Sequence, residues 1–127
     1  MYRSFEELEV WKRACKLAVD VYLALKDRRE FGLRDQMNRA AVSIPSNIAK
    51  GAERDSVKEF IHFLHIAKGS AAELRTQLYI AEKIGILTPI VTRPLIAETK
   101  EIAAMIQGLI KSVKCKVLSV KKINLIT

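Results

Sequence analysis

Few side chains in this sequence could do chemistry, and their spacing limits what they could do. His62 and His65 stand three residues apart, which puts two imidazoles on one helix face and permits shared ligation of a metal. No recognisable motif places an Asp, Glu or Cys ligand beside them, so they read as surface histidines and no metal or other cofactor is expected. Cys15 and Cys115 lie far apart with no paired spacing, as reduced thiols do rather than a disulfide framework. A Gly-rich phosphate loop, a Gly-x-Ser-x-Gly elbow and a paired-cysteine metal site are all missing, and no set of nucleophile, base and metal can be assembled. A non-enzymatic role is therefore expected.

What remains is charge. Lys111, Lys114, Lys116, Lys121 and Lys122 have no acid among them. Upstream, Arg39, Ser43, Ser46, Asn47, Lys50 and Arg54 recur at three- and four-residue spacing, so one helix can carry them as a polar stripe. The cations Arg39, Lys50 and Arg54, with the five lysines, are the expected contacts to RNA or DNA phosphates, an interaction that is sensitive to salt and blind to sequence. The competing reading of the stripe is a satisfied polar network that fixes its own helix. Glu73, following the small run Gly69-Ser70-Ala71-Ala72, would then offer Arg39, Ser46 or Asn47 a charged partner.

The elements that position these residues follow from apolar spacing. Ser4 and Glu7 form a capping box that predicts a first helix from that point. It carries two apolar stripes, one through Leu8, Trp11, Cys15, Ala18, Tyr22 and Leu25 and one through Val10, Ala14, Leu17, Val21 and Ala24. Two stripes make a face wider than one bundle needs and predict burial against a further partner. Gly32 is expected to take the left-handed conformation that reverses the chain. A second helix runs from Leu33 to Ala52 with Pro45 inside it, where a proline removes a donor and costs ~3 kcal/mol, so a kink is expected. Ser56 and Glu59 form a second capping box for a third helix carrying Phe60, Phe63, Leu64, Ala67, Ala71, Leu74, Leu78 and Ala81, closed by Gly85. After a loop over residues 85–92, Thr92 is the expected cap of a fourth helix with Pro94 in its first turn.

Four amphipathic helices with short connections and no strand segments predict an all-α, up-down-up-down four-helix bundle over residues 1–114 with a basic tail over 115–127. The 127 residues suffice for one such domain, half of them are apolar, and 22 Lys and Arg against 14 Asp and Glu give a net charge of +8. Five of those eight excess charges lie in residues 91–127. Excess cation favours a polyanion. No apolar run reaches the ~18 residues of a membrane span and the start has no signal-peptide core, so a cytoplasmic protein without a membrane partner is expected.

Phe5-Glu-Glu-Leu-Glu-Val-Trp11, then Gly32-Leu-Arg-Asp-Gln-Met-Asn-Arg-Ala-Ala-Val-Ser-Ile-Pro-Ser-Asn-Ile-Ala49 with Gly51, then Phe63-Leu-His-Ile-Ala-Lys-Gly-Ser70 and Glu73-Leu74, closely resemble the four-helix-bundle proteins encoded in intervening sequences of bacterial 23S rRNA genes. Trp11, Ser43, Pro45, Ser46, Asn47, Gly51, Gly69, Ser70 and Glu73 carry that signature. The resemblance implies a left-handed bundle assembled as a homopentamer. It also implies a relation to the accessory proteins of diversity-generating retroelements, basic barrels that bind nucleic acid and a reverse transcriptase. Lys50 stands where that family usually has Glu, which adds a cation to the stripe. The resulting expectation is an oligomeric bundle that binds RNA or DNA electrostatically; the alternative is a scaffold for a reverse transcriptase that touches no nucleic acid.

Overall fold

The computed structural model describes residues 4–126, with side chains described over 4–116. Among them the chain is helical throughout: a short 3-10 turn, η1 (Phe5–Glu7), then α1 (Glu9–Leu25), α2 (Phe31–Ala52), α3 (Val57–Lys83) and α4 (Pro89–Ile126). α1 packs on α2 and α4, and α3 packs on the same two. The predicted all-α helical bundle is therefore the observed class.

The capping signals decide where each helix begins and ends, and three of them act differently from expectation. Ser4 accepts the amide of Glu6 at 3.2 Å and so caps η1; Leu8 is extended (ψ 122°), and α1 starts only at Glu9. Gly32 does not reverse the chain. The turn is made by residues 26–30, with the Arg28 amide on the Leu25 carbonyl and the Phe31 amide on that of Arg29, so Gly32 falls in the first turn of α2. Ser56 accepts the Glu59 amide at 3.2 Å as predicted. Gly85 has φ +83°, and the amides of Gly85 and Ile86 close on the carbonyls of Glu82 and Ala81, a left-handed glycine ending of α3. Thr92 is no cap: the Thr88 carbonyl accepts the amides of Val91 and Thr92, and Pro89 opens α4 in the position where a missing N–H costs nothing. α2 stays one helix through Pro45.

The core is built from the predicted stripes. On α1, Val10, Ala14, Leu17, Val21 and Leu25 are buried, while Trp11, Cys15 and Ala18 are half-buried. Val19, Tyr22 and Leu23 are more than half exposed, so α1 keeps apolar surface that this chain does not cover. On α3 the predicted core positions from Phe60 to Ala81 are buried except Phe63, which is half-buried. Two polar ties fix the helices axially. Arg13 grips Glu98 with two donors, Nε to Oε2 at 2.9 Å, and that hydrogen bond, ahead of Coulombic attraction to Glu98, Glu101 and Glu9, raises the arginine pKa.

At the other tie, Thr92 and Arg93 of α4 both donate to Glu82 of α3. The Thr92 hydroxyl first, then the Arg93 guanidinium, hold the Glu82 carboxyl below its ordinary 4.5. A depressed carboxylate contributes stability that is present above its unfolded value and lost as pH falls below about 4.5 toward the folded value. Glu82→Gln is therefore expected to lower the melting temperature at neutral pH and to lose less of it than the parent chain on acidification to about pH 3. Equal losses in the two proteins would contradict the assignment.

Candidate nucleic-acid interface

The polar stripe of α2 divides in two. Asn47 is buried and donates through Nδ2 to the Ser43 carbonyl at 2.8 Å and to Ser43 Oγ at 2.9 Å; Ser43 Oγ in turn meets Ser70 Oγ of α3 at 2.9 Å. These three form a polar network, though not the one expected around Glu73, with Ser46 half-buried and Pro45 buried beside them. Glu73 takes no part in it. It is exposed, and its Oε1 accepts from Gln77 one turn on, because α3 turns Ser70 and not Glu73 toward α2. Gly51 explains the glycine of the signature: a Cβ there would stand 2.8 Å from Phe63 Cβ and 3.1 Å from the Phe60 carbonyl, so α2 and α3 meet only because it has none. Gly69 is different. It is exposed with nothing within 4 Å of a Cβ, so it takes no part in the α2–α3 contact. Trp11 sits edge-on to Phe5, ring centroids 5.2 Å apart, and ties η1 to α1.

The stripe's cations, Arg39, Lys50 and Arg54, are exposed. Arg54 lies over the Phe63 ring at 5.1 Å. Lys111, Lys114 and Lys116 are exposed on α4; Lys121 and Lys122 lie outside the residues whose side chains are described. Gly51 against Phe60 and Phe63, and Lys68 donating to Gln107 at 2.8 Å, set antiparallel registers that bring Lys50, Arg54, Lys111, Lys114 and Lys116 to one end of the bundle. Arg39 stands apart, eleven residues or ~16 Å up the axis from Lys50. The expected set is also split between α2 and α4, which are diagonal partners with α3 between them.

α3 and α4 hold cations that sequence reasoning passed over. The Lys68–Gln107 bond marks the direction in which the two helices face each other. At ~100° per residue, Lys58, Arg75 and Lys83 of α3 and Arg93, Lys100, Lys111 and Lys114 of α4 all fall within ~80° of that direction on their own helices. The acids fall elsewhere. Glu59 and Glu73 lie ~140–180° away on α3, and Glu98 and Glu101 lie ~120–180° away on α4, where both act on Arg13 of α1. Glu82 alone shares the cationic side, and Thr92 and Arg93 already hold it. The periodic signal was present in Arg93, Lys100, Gln107 and Lys114, spaced by seven. Lys116, one of the expected contacts, turns ~180° from this face.

His62 and His65 are both exposed, and no group of three His, Cys, Asp or Glu among the described residues could hold a metal. Burial pushes the Cys15 thiol up, which makes it a poorer nucleophile. No helix among the described residues is long and apolar enough to cross a membrane.

The 23S rRNA-intervening sequence protein family model matches residues 6–108, from η1 into the second half of α4. The chain belongs to that family. Among solved structures, this intervening-sequence protein is similar to a protein with unknown function from the S23 ribosomal protein family of Bacteroides thetaiotaomicron, at 25% identity and a TM-score of 0.76, over 80% of this chain and 98% of the other. No curated protein matches it. The matched span contains the Ser43–Asn47–Ser70 network, Gly51 and the cations of α3, and stops short of Lys111 and Lys114.

Proposed function

We propose that this intervening-sequence protein is a non-catalytic, oligomeric helical bundle that binds RNA or DNA through its charge, as an accessory in RNA or retroelement metabolism. The observation that supports it best is the segregation of charge: the side shared by α3 and α4 carries eight cations and the single, already paired acid Glu82. Mixed charges at the same net value would serve solubility alone; one-signed charge on one side attracts a polyanion. The exposed Val19, Tyr22 and Leu23 of α1, together with Phe31 and Val42 of α2, support self-association through the other half of the molecule.

Retention of RNA or DNA in a gel shift at ~50 mM salt is expected, with the affinity falling steeply, by 10²-fold or more, on going to ~200 mM. Light scattering is expected to return several times the 14.3 kDa chain mass. No retention, or retention that ignores salt, defeats the nucleic-acid half of the reading; a monomer at micromolar concentration defeats the oligomer.

A further inference from the structure

We infer that the α3–α4 face is a docking strip for a nucleic-acid double helix, whose two strands both bring phosphates to its cations. The inference rests on the electrostatic reading above and adds both the surface and the form of the ligand.

Two dimensions of the strip carry it. Along the bundle, the α3 row from Lys58 to Lys83 is ~38 Å long and the α4 row from Arg93 to Lys114 ~32 Å, at ~1.5 Å per residue. One turn of a duplex is ~34–36 Å. Across the bundle, the two rows belong to helices packed in direct contact, whose axes lie ~8–10 Å apart, within the ~6–12 Å range of duplex groove widths. Over one turn both strands cross the strip, and where they flank a groove their phosphates can meet both rows at once. A single strand has one line of phosphates and satisfies one row.

The side chains point the same way. Single-strand sites rely on exposed aromatic faces for base stacking. Of the Phe, Tyr and Trp side chains described, only Tyr79 is exposed on this side, and the Arg93 guanidinium lies over its ring at 5.7 Å. The rows are mostly lysine, with Arg93 held by Glu82, Arg75 half-buried and Gln107 bonded to Lys68, a composition that favours phosphate contacts over base contacts. Arg75, midway along the α3 row, keeps a buried Nε with no acceptor in the protein.

The test uses the full chain and fluorescent 20-base-pair duplex RNA, duplex DNA and one separated strand, measured by anisotropy against salt. Lys100→Glu with Lys114→Glu exchanges two exposed cations in the strip, and Lys50→Glu with Arg54→Glu exchanges two on α2; circular dichroism checks that each variant keeps its helix content. The expected result is tenfold or greater preference for duplex over single strand, and a salt slope shallower by about two in the α4 variant only. Equal binding of the single strand, or sensitivity in the α2 variant but not the α4 variant, overturns the strip and leaves electrostatic binding standing. Absence of binding to all three probes overturns both. The duplex RNA and duplex DNA arms identify which helix is preferred.

Discussion

Replacing Gly51 by alanine is expected to destabilise the protein by about 1–2 kcal/mol, although alanine is the better helix former by ~1 kcal/mol. The added methyl has no room: it would lie 2.8 Å from Phe63 Cβ and 3.1 Å from the Phe60 carbonyl, and both atoms are tied to the α3 backbone. α2 and α3 must separate, which strains the neighbouring contact of Ser43 with Ser70. Gly69→Ala is expected to change stability in the opposite direction, raising it by up to ~1 kcal/mol, because a Cβ there meets nothing within 4 Å. Urea midpoints of the two variants give the comparison. The same sign at both positions would show that helix propensity, and not the closeness of α2 to α3, governs Gly51.

Truncation of Leu74 to alanine is expected to cost about 2–5 kcal/mol. Leu74 is wholly buried at the centre of α3, and rigid neighbours on α2 and α4 do not collapse fully into the space it leaves. Measured by urea unfolding, that loss is a large share of the ~5–15 kcal/mol that holds a domain of this kind. Ile90→Ala is the control: the side chain is 87% exposed, and its removal is expected to shift stability by no more than ~0.5 kcal/mol. A loss below ~1 kcal/mol at Leu74 would mean that the core of α3 is looser than its burial implies.

Leu74 belongs to the part of the fold that was legible in advance. The spacing of Phe60, Leu64, Ala67, Ala71, Leu74, Leu78 and Ala81 depends only on the helical period, and so do the caps at Ser56 and Gly85, where each signal acts on its own turn. Gly32 and Gly85 show the limit. Both are glycines beside apolar runs, but Phe31 already opens α2, so Gly32 is drawn into a helix. Thr92 resembles a cap in sequence and becomes a buried partner of Glu82, a choice made by α3 and invisible in α4 alone.

The α3–α4 face was hidden for a related reason. Summed over residues 56–90, cations and acids nearly cancel, because a sum cannot see that Glu59 and Glu73 turn away from Lys58, Lys68 and Lys83. Which cations of α3 join which of α4 depends on the register fixed by Lys68 with Gln107 and by Glu82 with Thr92. Of the network of Ser43, Asn47 and Ser70, only the α2 side was legible, as a polar stripe; the choice of Ser70 over Glu73 required knowing how α3 is rotated.

The connections over residues 26–30, 53–56 and 84–88 are each only four or five residues long. Three of the four helix–helix contacts therefore join neighbours in the chain, and only α1 on α4 closes a distant one. Proteins built from such near-neighbour contacts fold in microseconds to milliseconds, because little loop entropy is lost before each contact forms. Both rows of cations lie on a single hairpin, α3 and α4 joined through Gly85. That surface is therefore built on a single contact between neighbours in the chain and takes no residue from α1.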